Sequence, residues 1–131
     1  IHSEISAGRT LQAEKLENYW LDSNKRYYGE ALTVDKELAS EWSRIPHFYT
    51  PFYVYKYATG YSAATAFAAA ILKGEEGAVE KYLGFLHAGG SDYSLNILKN
   101  AGVDLNTPQP VTVTLQKFAE KLAELKKLLE K

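Results

Sequence analysis

The clearest alternation of apolar and polar positions lies at the end of the chain. Leu115, Phe118, Leu122, Leu125 and Leu129 recur at alternating steps of three and four, separated by Lys and Glu. That spacing predicts a helix from about 111 to the end, with one apolar face and one solvated face. The repeat is little more than two heptads, short of the roughly three or four that sustain a coiled coil. Packing of this face against the chain's own domain is therefore the expected use, with self-association through the same five residues as the alternative.

Upstream the periodicity is weaker and the punctuation stronger. Residues 1–7 read as a helix tail closed by Gly8, and 13–28 as a helix with apolar residues near 16, 19, 20 and 27, ended by Gly29. The start of that helix at Gln12 lacks the Ser or Thr cap that helices favour. Asp35 is a plausible side-chain cap for the amides of residues 37 and 38, opening a helix over 36–44 with Leu38 and Trp42 on one face. Pro46 should stop it. Thr50 and Pro51 predict the cap and first position of a long helix over 51–73, closed by Gly74. Glu75 to Ala88 is the next, with Val79, Tyr82, Leu83, Phe85 and Leu86 as its stripe. Ser91 is expected to cap Asp92 to Ala101, and two prolines mark the loop before the last helix. The fold class is all-α, with about six helices. No repeat of 20 to 50 residues and no linker divides residues 1–131, so they are expected to form a single helical domain.

Composition narrows the partners. The 131 residues hold 15 basic and 16 acidic side chains, a balance that argues for no nucleic acid. No apolar run reaches the roughly 18 residues of a membrane span. Cysteine is absent, which removes disulfides and thiolate metal sites and fits a reducing compartment. Methionine is absent too, and Ile1 and Ile5 form an apolar i, i+4 pair with no cap before it. The chain accordingly reads as a piece of a longer polypeptide.

Metal and nucleotide motifs fail. There is no His-Glu-x-x-His, no phosphate-binding glycine loop and no nucleophile elbow, and His2, His47 and His87 stand apart in sequence. What remains is the stretch from Arg44 to Ala70. Five of the ten tyrosines, Tyr49, Tyr53, Tyr55, Tyr57 and Tyr61, fall in it beside His47. On a helix starting near Thr50, Tyr53, Tyr57 and Tyr61 share a line while Tyr55 points elsewhere. Phenols stay neutral and donate hydrogen bonds, so such a line suits a developing oxyanion or a backbone carbonyl, with His47 as a further donor. Spacing alone also suits half-buried rings with hydroxyls at the surface, and favours that plainer use. The run of alanines that follows predicts a core helix enclosed on several sides.

Ile45-Pro46-His47-Phe48-Tyr49 and Phe52-Tyr53-Val54-Tyr55-Lys56-Tyr57-Ala58-Thr59-Gly60 resemble the C-terminal catalytic segment of the oligoendopeptidase F family, in the thimet-oligopeptidase-like group of zinc metallopeptidases. Asn24-Lys25-Arg26-Tyr27-Tyr28-Gly29, Glu41-Trp42, Ala88-Gly89-Gly90-Ser91 and Ala101-Gly102-Val103-Asp104 extend the likeness over nearly the whole chain. The resemblance implies a C-terminal helical subdomain of a larger, cytoplasmic helical peptidase that hydrolyses short peptides. Its zinc ligands and general base would lie upstream of Ile1, so this chain would bind no zinc alone and would be inactive. By motif position His47 and Tyr57 would be catalytic, and Tyr53 and Tyr55 substrate-binding. The implied partners are short peptide substrates and the missing N-terminal part of the peptidase. The competing reading is a non-enzymatic or engineered helical module that binds or associates through this fold.

Overall fold

A computed structural model of the chain describes residues 1–130. It holds six α-helices: α1 (His2–Ser6), α2 (Ala13–Tyr28), α3 (Tyr55–Leu72), α4 (Ala78–Ala88), α5 (Ser94–Asn100) and α6 (Gln109–Leu129). Two 3₁₀ helices, Lys36–Arg44 and Pro46–Tyr49, lie between α2 and α3, and no strand occurs among the described residues. The all-α expectation holds. No helix is long and apolar enough to cross a membrane. The chain divides into two compact units, Ile1–Val54 and Tyr55 onward, at a point no linker marks in the sequence.

In the first unit, α1 is tied to the start of α2 by charge. The Glu4 carboxylate accepts from Arg9 Nε at 2.8 Å and also from Lys15 Nζ. The uncapped start at Gln12 is real, with no side-chain hydrogen bond there. α2 packs on the first 3₁₀ helix. The segment 36–44 departs from the α-helix that Leu38 and Trp42 suggested. Three-residue winding aligns i with i+3, and the half-buried positions are the pairs Leu38/Glu41 and Ala39/Trp42. Asp35 caps this helix through its carbonyl oxygen, which accepts the Leu38 amide at 3.2 Å; its side chain makes no cap bond.

The second unit is organised on α3, which buries Ser62, Ala63, Ala66, Phe67 and Ala69. Phe67 packs edge-on to Tyr82 at 5.3 Å and tilts against Phe85 at 5.4 Å, while Ala101 and Val103 close the core. Buried alanines let α6 lie along α3, and Val113 shares a hollow with Ala66 and Ala69. The enclosure expected for α3 is one-sided, however. Tyr57, Tyr61, Ala64, Ala68 and Leu72, spaced by three and four, form an exposed face opposite the buried one. The other helix starts also shift. α4 begins at Ala78 because Gly77 takes φ 70°, a left-handed turn open to glycine, and α5 begins at Ser94. Asp92, not Ser91, supplies the local acceptor there, taking the Tyr93 amide at 2.6 Å and Asn96 Nδ2 at 3.2 Å.

α6 shows the largest difference from expectation. Its less exposed positions are Pro110, Val113, Thr114 and Lys117, whereas Leu115, Phe118, Leu122, Leu125 and Leu129 are all exposed. The leucine face does not pack on its own unit.

Candidate active-site segment

Proline sets the shape of the segment from Arg44 to Tyr61. Pro46 holds Ile45 extended, at φ −92° and ψ 103°, and then starts the short 3₁₀ helix that carries His47. Tyr49 pins that helix to its neighbour, its hydroxyl donating to the Ser43 carbonyl at 2.7 Å. After the extended Thr50 the chain does not enter α3. Phe52 takes φ 53°, a left-handed conformation that is rare for an aromatic residue, and residues 51–54 form a turn. The ring of Phe52 stacks on His2 at 4.7 Å.

The turn changes the tyrosine geometry. Tyr53 precedes α3 and so does not share its helical line with Tyr57 and Tyr61. It stacks instead on His47, with ring centroids 5.5 Å apart and planes 24° apart. A histidine and a phenol, each able to donate a hydrogen bond, are thereby held side by side in the first unit. Tyr55 and Tyr57 open the second unit on the first turn of α3, both exposed and pointing to different sides of the helix. Tyr61 continues the Tyr57 line. Tyr55, Tyr57 and Tyr61 are more than half exposed, at 58%, 57% and 70%.

Beside this segment lies a feature that spacing did not suggest. Trp20, Trp42, Phe48, Leu16 and Tyr49 line an apolar hollow of about 210 Å³ in the first unit. Phe48 meets Trp20 edge-on at 5.6 Å. The Nε1 atoms of both tryptophans are buried and find no acceptor among the described residues. Trp20 comes from α2 and Trp42 from the first 3₁₀ helix, two elements that pack on each other.

The hydrogen bonds from Arg9 and then Lys15 hold the Glu4 carboxyl down at about 2. Asp104 is lowered by the Asn106 amide, and Lys121 raised by Glu124. Among the described residues no three His, Asp or Glu side chains gather in a way that could hold a metal ion. The described residues by themselves do not make up a zinc site.

Comparison with known proteins gives a consistent result. The sequence profile of Peptidase family M3 matches residues 1–117. Oligopeptidase PepF of Bacillus subtilis (strain 168) is 49% identical over 131 residues, which is 100% of this chain and 20% of that protein. The plasmid oligoendopeptidase F of Lactococcus lactis subsp. cremoris is 40% identical, again over the whole chain and 22% of its own length. Among solved structures, oligoendopeptidase-F from Enterococcus faecium superposes with a TM-score of 0.91 at 43% identity, covering 98% of this chain and 25% of the other. The chain thus spans about a fifth of the length of the curated relatives it matches.

Proposed function

The chain belongs to peptidase family M3, and from that premise we propose that it forms the substrate-facing wall of an oligoendopeptidase F-type zinc peptidase that hydrolyses short peptides. In this reading His47 and Tyr57 donate hydrogen bonds to the carbonyl oxygen of the scissile peptide as it gains charge, while Tyr53 and Tyr55 contact the peptide. Donors fixed before the reaction gain most in such a role, because no reorganisation is needed when charge develops. Zinc, its ligands and the water-activating base belong to polypeptide beyond these 131 residues, so the chain by itself is inactive.

The observation that carries the proposal is the His47–Tyr53 stack. Proline, a short 3₁₀ helix and a left-handed turn position one imidazole against one phenol within seven residues, although only simple helical spacing was expected there. The second unit carries exposed phenols of its own at Tyr55, Tyr57 and Tyr61.

The test places these 131 residues in Oligopeptidase PepF of Bacillus subtilis, in exchange for the matching stretch, and assays a fluorogenic octapeptide. His47→Ala should lower kcat about 10²–10³-fold, the usual cost of one oxyanion donor. KM should move little, since the bond strengthens only in the transition state. Tyr57→Phe should act in the same direction. Retention of full kcat by both variants would remove the proposal, as would zinc-dependent hydrolysis by the 131-residue chain alone.

One observation favours a second use of the same fold. The face of Leu115, Phe118, Leu122, Leu125 and Leu129 is exposed throughout and is available for association, including self-association.

A further inference from the structure

We infer that Tyr49 is a positioning residue for His47: its hydroxyl, bonded to the Ser43 carbonyl, fixes the one-turn helix that carries the imidazole. This rests on the reading of His47 as a donor to the scissile carbonyl and deepens it, naming a group that sets where the imidazole stands without itself touching the peptide.

Pro46 creates the opening that Tyr49 fills. In a 3₁₀ helix each carbonyl accepts from the amide three residues further on. The first 3₁₀ helix ends with the Ile45 amide donating to the Trp42 carbonyl at 3.3 Å. Next in register is the Ser43 carbonyl, whose donor would be the amide of residue 46, and proline has none. The Tyr49 hydroxyl donates there instead, at 2.7 Å. Winding at three residues per turn puts residue 49 on the same side of the second 3₁₀ helix as Pro46, the side where the amide is missing.

The turn Pro46–Tyr49 depends on such a tether. A single turn makes too few bonds of its own to hold its shape. The bond that closes it, from the Thr50 amide to the His47 carbonyl, is long at 3.4 Å. Successive side chains leave a 3₁₀ helix about 120° apart. His47 meets the Tyr53 ring, Phe48 the Trp20 ring and Tyr49 the Ser43 carbonyl, so neighbouring residues fasten the turn in different directions. The two ring contacts tolerate sliding and tilt, whereas the Tyr49 bond is short and directional. Losing the hydroxyl alone leaves both ring contacts in place and lets the turn shift, and a displacement of about 1 Å at a reacting group is enough to cost rate. Overall stability should change little, because Tyr49 is 67% exposed and water can serve the Ser43 carbonyl in its place.

The PepF enzyme carrying these 131 residues, assayed on the same octapeptide, tests the inference. Tyr49→Phe should lower kcat about tenfold and leave KM within about twofold. Its Tm should move by less than about 4 °C. His47→Ala/Tyr49→Phe should be no slower than His47→Ala alone, since a residue that acts only through the imidazole then has nothing left to position. Full kcat in His47→Ala defeats the functional reading and this inference with it. A slow His47→Ala beside a fully active Tyr49→Phe overturns the inference and leaves the reading standing. Losses that multiply in the double variant, or a Tyr49→Phe defect confined to KM, also overturn it, because the phenol would then act on the fold at large or on the peptide directly.

Discussion

Replacing Phe67 tests the placement of the second unit's core and, with its neighbours, the one-sided burial of α3. Phe67 retains 7% of its surface and meets both Tyr82 and Phe85, so Phe67→Ala removes a nearly whole buried ring. Such truncations cost about 3–5 kcal/mol, because lost transfer energy and the residual cavity add. The unit runs from Tyr55, and 131 − 54 leaves 77 residues. At about 0.05–0.15 kcal/mol per residue, a unit of that size has roughly 4–12 kcal/mol of stability. The substitution should consume a large part of it and lower Tm by about 15–30 °C. The adjacent pair Ala63 and Ala64 sharpens the test, since one is buried and the other exposed. Ala63→Leu overpacks the core and should cost about 1–3 kcal/mol. Ala64→Leu points outward and should stay within about 0.5 kcal/mol. Urea unfolding followed by far-UV circular dichroism reads all three, and hydrogen exchange at the α3 amides localises the loss. Equal costs at positions 63 and 64, or less than about 1 kcal/mol for Phe67→Ala, would refute the assignment of faces.

Two further outcomes concern the first unit. Glu4 has its carboxyl held at about 2 by Arg9 and Lys15, below the ordinary value of 4.5. A lowered folded-state value contributes stability that is complete above about 4.5 and is lost as pH falls toward about 2. Carbon-detected NMR titration should give Glu4 a midpoint near 2, and Arg9→Gln should raise it; a midpoint at the ordinary carboxylate value would show that the pair does not form in solution. Phe52, at φ 53°, holds a backbone conformation costing about 1–2 kcal/mol for a non-glycine residue. Phe52→Gly relieves that and forfeits only the exposed stack on His2, so the chain should be at least as stable. Phe52→Val should be clearly worse, and the reverse ranking in thermal melts would contradict the turn.

Helix ends were legible where the chemistry leaves one solution, and starts were not. Gly8, Gly29 and Gly74 stand in the sequence as stops, and all three take positive φ. Helix starts offer several acceptors, and the structure chose differently at three of them: the carbonyl of Asp35, the side chain of Asp92 and a left-handed Gly77. The same ambiguity hid the geometry of the candidate site. Thr50-Pro51 has the form of a helix start, and a helix from there would align Tyr53 with Tyr57. One left-handed residue, Phe52, delays α3 to Tyr55 and releases Tyr53 to stack on His47. Periodicity had a matching blind spot at α6. It reports that a face is apolar, a property of the residues alone, but the line that packs on α3 was set by the mixed positions Pro110, Val113, Thr114 and Lys117. A strongly patterned face can thus be left open while a weakly patterned one is buried. The short, proline-bounded 3₁₀ helix at His47 and the open stripe at Leu122 are where local pattern and tertiary arrangement part company, and departures of that kind collect where a chain must meet something besides itself.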